Sequence, residues 1–260
     1  MNRWEHIDTA TLPDGDVMTL HRRADEYSLR VANIELMNSR QHGSEEQLAQ
    51  LAIARVAASG ATVSHAAPGT GAAPRQSPAP RATQADSSMT VLVGGLGMGF
   101  TLRAVLDLVP GDARVTVAEL VPQVIEWNRS HLGELAGNPL ADRRVTVVVG
   151  DVADLLRAAN GTFDVVMLDT DNGPEGTTQE DNEWLYGPAG LASIRAALKP
   201  GGVLAVWSVF PSEPFTRRLG KAGYEVEVKQ VRSRGKKGNR HVIWVATNRQ
   251  PGVRAARRRA

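Results

Sequence analysis

From Thr90 to Leu120 the chain reads TVLVGGLGMGFTLRAVLDLVPGDARVTVAEL. A short apolar run leads into Gly94-Gly95-Leu96-Gly97-Met98-Gly99, then an amphipathic stretch, then a second apolar run that stops on Glu119. No other segment constrains the fold as strongly. It spells strand, tight turn, helix and strand, a right-handed crossover between parallel neighbours. Glycines let the backbone turn sharply and approach a ligand closely, and the helix that follows offers unpaired N–H groups at its start. An acid closing the next strand stands where a ribose diol needs an acceptor. The spacing Gly95-x-Gly97-x-Gly99 is GxGxG, not the GxGxxG that cradles a pyrophosphate.

Downstream the alternation continues. Strands are expected at Val91–Val93, Arg114–Ala118, Val145–Val149, Val165–Leu168 and Val203–Trp207, with helices starting near Gly99, Pro122, Asp151 and Gly187. A further helix, Pro214–Ala222, precedes strands Glu225–Val231 and His241–Ala246, whose Gly-rich connection makes them an antiparallel hairpin. Five parallel strands and a closing hairpin give a seven-stranded α/β sheet. This Rossmann-like order is that of the class I S-adenosylmethionine (SAM)-dependent methyltransferases, and GxGxG suits a cofactor without a pyrophosphate.

Ahead of this domain (residues 89–250), residues 1–58 read as a small β-hairpin and helix unit. Its strands are Val17–His21 and Tyr27–Val31. Ser44 and Gln47 have the spacing of a capping box for a helix through Ala57. Residues 59–88 are almost entirely Ala, Pro, Gly, Ser and Thr, too poor in apolar surface to offset the entropy of ordering, and are expected to be a disordered linker. Residues 251–260 form a basic tail. Eleven of the 30 Lys/Arg and none of the 28 Asp/Glu lie from Lys229 onward, which leaves residues 1–228 at about −9. No aromatic residue interleaves the tail, so a solvated end is favoured over a nucleic-acid surface. Without cysteine there is no thiolate site, and the six histidines show no metal-ligand spacing, so no metal is expected. No apolar run is long enough to span a membrane and no signal core opens the chain, which together point to a cytoplasmic protein.

In an open parallel sheet the ligand lies over the carboxyl ends of the strands. The residues after each strand are therefore the candidates: Gly94, Gly95, Gly97 and Gly99 for cofactor approach, Glu119 for ribose, and Asp151 for an adenine amine. Asp151 also reads as a helix N-cap, and the two roles are compatible. After the fourth strand comes Asp169-Thr170-Asp171-Asn172-Gly173-Pro174, the start of a stretch with six acids and no base between Asp169 and Glu183. A carboxylate at Asp169, with Asp171 close by in sequence, suits holding an amine and removing its proton as it attacks carbon.

These segments resemble the spermidine synthase-like proteins, the polyamine aminopropyltransferases and their methyltransferase-like relatives. The resemblance covers about residues 16–58 and 89–247. It is carried by Asp25-Glu26-Tyr27, Ser44-Glu45-Glu46, the Val93–Gly99 loop, Val117–Pro122 and Leu168–Pro174. It implies ribose binding by Glu119, adenine binding by Asp151 and general-base catalysis by Asp169. It also implies SAM or decarboxylated SAM as cofactor, a small, cationic or amine-bearing acceptor, and a homodimer. Aminopropyltransferases carry an aspartate inside the glycine loop, where this chain has Leu96, Gly97 and Met98, and their acidic motif differs from Asp169–Pro174. Three functions therefore compete: methyl transfer from SAM, which the missing acid favours; aminopropyl transfer from decarboxylated SAM; and a non-catalytic nucleoside-binding protein that acts through its basic C-terminal end.

Overall fold

The computed structural model describes residues 3–32, 34–58, 88–170, 173–175, 184–234 and 237–249. The linker (apart from Ser88), the basic tail and Asp171 lie outside them.

Seven strands form the large sheet: β5 (Thr90–Gly94), β6 (Arg114–Glu119), β7 (Val145–Val149), β8 (Phe163–Leu168), β9 (Leu198–Ser208), β10 (Tyr224–Arg234) and β11 (Lys237–Asn248). Their order is β10-β11-β9-β8-β5-β6-β7. β5 to β9 are mutually parallel, and β11 runs antiparallel to both β9 and β10. This is the expected sheet with its closing hairpin. Its central strands are continuously apolar because both faces are covered. All six residues of β8 are buried. One of them, Asp164, is acidic, and it is held by Lys199 Nζ at 2.7 Å and by the Thr90 hydroxyl at 2.9 Å.

On one face lie α1 (Gly43–Ala58), α2 (Phe100–Leu108) and α3 (Pro122–Ser130); on the other lie α4 (Val152–Ala158), α5 (Pro188–Ala197) and α6 (Glu213–Lys221). α1 packs on α2 and crosses β8 to β11, so this early helix forms part of the layer above the large sheet.

The amino-terminal unit is a four-stranded antiparallel sheet, β1 (Glu5–Thr11), β2 (Val17–Arg23), β3 (Glu26–Val31) and β4 (Ile34–Asn38). The sequence indicates only its middle two strands. β1 buries a single residue, Ala10, and β4 buries none, so neither shows the apolar alternation that announces a strand. β1 is tied to the large domain by Trp127 Nε1, which donates to Asp8 Oδ2 at 2.7 Å.

The expected capping box does not form. Ser44 lies inside α1 and its hydroxyl donates to Glu45 Oε2 at 2.5 Å, while Gln47 Nε2 donates to the carbonyls of Gly43 and Arg232. Burial pushes the Glu45 carboxyl above its ordinary range, with the Ser44 hydroxyl opposing the shift. A raised folded-state pKa means that this group's favourable contribution is complete below the unfolded value and declines as pH rises through the folded one. Glu45→Gln is therefore expected to match the wild type near pH 4 and to melt higher above pH 7. About 2–4 °C is expected for each kcal/mol of relieved desolvation, as read by thermal unfolding across pH.

Candidate active site

The carboxyl edge of the parallel strands gathers the candidate residues. Gly94 is in register with Ala118 on one side and Leu168 on the other, and Glu119 is in register with Val149. The residues that follow each strand therefore sit side by side. Gly95 N–H donates to Ala118 O and Asp169 N–H donates to Gly94 O, both at 2.9 Å, which extends the ladder one step past β5.

The glycine loop turns there with left-handed backbone at Gly95, Gly97 and Gly99 (φ 92°, 52° and 83°). A Cβ at Gly95 would lie under 3.0 Å from the carbonyl oxygen of Asp169, so this position must be bare. Gly97 faces the amino-terminal sheet: a Cβ there would sit 2.9 Å from Met37 Sδ. Asn128 Nδ2 fixes the loop by donating to Gly97 O at 2.8 Å. Gly99 is the N-cap of α2 and no side chain caps that helix, so its first N–H groups face the loop without an internal acceptor.

Glu119 is buried. Oε2 accepts from Leu96 N–H and Oε1 from Val121 N–H, each at 2.9 Å. The carboxylate thereby links the glycine loop to the end of β6. Asp151 caps α4, its Oδ1 accepting from Ala153 N–H at 2.8 Å. The Asp169 carboxylate accepts from the Thr101 hydroxyl at 2.5 Å. The adjacent Thr170 hydroxyl pairs with buried Tyr186 at 2.7 Å, and Tyr186 meets Phe215 edge to face.

Around this edge, the start of α1 supplies His42, stacked on Phe100 at 4.1 Å between ring centroids and bonded through Nδ1 to Glu46 Oε1 at 2.8 Å. Sequence reasoning did not single out Thr101, Met37 or Asn128 for the site. Thr101 and Asp169 are 68 residues apart and meet because the first turn of α2 lies beside the end of β8, a proximity that local pattern does not carry. Trp127 is buried in the core, and Trp184 lies under the Arg157 guanidinium at 3.8 Å.

Comparison with known proteins gives a consistent picture. Residues 80–216 match the family model described as the spermine/spermidine synthase domain. Putrescine N-methyltransferase 3 of Nicotiana tabacum is 33% identical over 115 residues, 44% of this chain and 28% of that protein. A polyamine aminopropyltransferase of Clostridium tetani is 30% identical over 121 residues, 46% of this chain and 41% of that protein. The matches thus span well under half of these relatives' length. The solved spermidine synthase of Thermotoga maritima superposes with a TM-score of 0.67 at 18% identity, covering 94% of this chain and 72% of that one.

Proposed function

This chain belongs to the spermine/spermidine synthase family, and from that premise we propose that it transfers the methyl group of SAM to a small amine-bearing acceptor. Bound SAM supplies a methyl group on a cationic sulfur, already activated toward a nucleophile. The chain's own residues have simpler tasks. The Glu119 carboxylate accepts from the ribose hydroxyls and Asp151 from the adenine amine. The bare glycine loop admits the cofactor against the backbone. Asp169 orients the acceptor nitrogen and takes its proton, which is the catalysis such a displacement requires.

The observation that favours methyl over aminopropyl transfer is the polarity of the glycine loop. Leu96 and Met98 are buried, Gly97 faces the thioether of Met37, and the loop itself contains no acid. The uncapped start of α2 suits an anion. SAM carries a carboxylate on its tail; decarboxylated SAM carries only an ammonium there. The aminopropyl reading draws on the relatives that are aminopropyltransferases and stands as the alternative.

Calorimetric titration with SAM, decarboxylated SAM and methylthioadenosine separates the two. SAM is expected to bind at least tenfold more tightly than its decarboxylated form. Glu119→Gln should weaken every one of these ligands by about 10- to 100-fold, the worth of charged hydrogen bonds. Preference for decarboxylated SAM would overturn methyl transfer, and no binding by any of the three would overturn the nucleoside site.

A further inference from the structure

The row of residues beside Asp169 carries information about the acceptor. Leu168 pairs with Val206 across β8 and β9, so the next residues, Asp169 and Trp207, are neighbours on the edge. Both lie on the face covered by α1 and α2: Asp169 bonds Thr101 of α2, and Trp207 packs on the core of that face. Trp207 is in turn in register with Ile243 of β11, and His241, two residues earlier, points to the same face one step nearer the edge. The Trp207 and His241 rings stack at 4.8 Å between centroids. Asp169, Trp207 and His241 therefore form a row on three adjacent strands, the latter two roughly 5 and 10 Å from the Asp169 strand.

Two polar atoms in this row make no hydrogen bond among the described residues, although each is enclosed: Trp207 Nε1 and His241 Nδ1. Enclosed polar atoms without partners are rare, and each calls for a ligand or water to satisfy it. His241 is 9% exposed, and its burial lowers its pKa; its Nδ1 donates to an oxygen in the tautomer that carries the proton there. The indole N–H only donates. An ammonium also only donates, so it cannot satisfy Trp207, whereas an oxygen with a lone pair can. The far end of the row is closed by the β10–β11 hairpin, where the Ser233 hydroxyl donates to Gln41 Oε1 at 2.9 Å.

We propose that Trp207 and His241 are specificity-determining residues, and that they receive a hydrogen-bond-accepting oxygen (hydroxyl, carbonyl or carboxylate) at the distal end of the amine acceptor. The acceptor class is then an amino alcohol or amino acid rather than a diamine. This rests on the transferase reading of Asp169 and the cofactor loop.

The test uses the full chain with SAM and three amines of matched length: putrescine, 4-aminobutanol and 4-aminobutanoate. Either oxygen-bearing amine is expected to exceed putrescine in kcat/KM by about tenfold, the worth of one well-made hydrogen bond of 1.4 kcal/mol. Trp207→Phe keeps the ring and its stacking but removes the N–H. It should erase that preference, bringing the oxygen-bearing amines down to the kcat/KM of putrescine, and His241→Phe should act in the same direction. Equal or better turnover of putrescine, or a Trp207→Phe effect that is the same for all three amines, would overturn the proposal. If none turns over, binding is measured by calorimetry with methylthioadenosine present, and failure of both oxygen-bearing amines to bind overturns it as well. Loss of SAM binding in the acceptor-free titration marks failure of the transferase reading instead.

Discussion

Asp169→Asn is expected to lower kcat by about 10²- to 10⁴-fold while leaving SAM affinity within about twofold. The substitution is nearly isosteric. The amide oxygen can still accept from the Thr101 hydroxyl, and the backbone N–H still donates to Gly94 O, so the edge of the sheet keeps its geometry. What is lost is the negative charge and the basic lone pair. An amine acceptor sheds a proton when its nitrogen bonds to carbon, and the other carboxylate that ends a strand beside the glycine loop, Glu119, is already engaged by the N–H groups of Leu96 and Val121. Steady-state kinetics paired with calorimetry read the two quantities separately. A variant with wild-type kcat would exclude Asp169 as the base, and a parallel fall in SAM affinity would assign it to cofactor binding. Thr101→Val should act in the same direction with a smaller effect, because it removes one neutral donor and leaves the charge in place.

The centre of the main sheet was readable in the sequence because its strands lie between two helical layers and are built on short apolar runs. VLV at Val91–Val93 and VVML at Val165–Leu168 admit few other placements, and the glycine loop and Glu119 follow once the crossover is recognised. The amino-terminal sheet was only half readable. β1 and β4 are short of buried side chains and depend on partners elsewhere, such as Trp127 of α3 reaching Asp8. The capping box failed for a related reason. A local pattern offered Ser44 an N–H to accept, but α1 starts one residue earlier, and the Ser44 hydroxyl instead serves the buried Glu45 carboxylate. In the site, Glu119 and Asp151 were located by their place after a strand, whereas the contacts of Thr101, Met37 and the Trp207–His241 pair are products of topology. Register across a sheet joins residues that the sequence separates by tens of positions, and no short-range periodicity encodes it.

That dependence on close backbone approach makes Gly95→Ala strongly damaging to the site. Two costs combine at this position. With φ at 92°, any side chain is strained, at about 1–2 kcal/mol. In addition, the new Cβ would press on the carbonyl of Asp169, a backbone atom that cannot swing aside like a side-chain tip. Relief requires β8's exit and the loop after β5 to part, which breaks the Asp169 N–H bond to Gly94 O and moves both the carboxylate above it and the Leu96 N–H that Glu119 holds. Cofactor affinity and turnover should therefore fall together, each by at least about 100-fold, since a misplacement of about 1 Å at a reacting centre costs that much. The melting temperature should drop by several degrees, about 2–4 °C per kcal/mol lost. Gly111→Ala is the matched control: no atom lies within 4 Å of a Cβ there, and affinity, turnover and melting temperature should stay at wild-type values. Calorimetry, kinetics and thermal unfolding on the pair discriminate the causes. If Gly95→Ala melts lower but binds SAM normally, the loop bears on stability and not on the cofactor. If it binds and turns over like the wild type, the close approach of β5 and the Asp169 carbonyl is not what shapes the site.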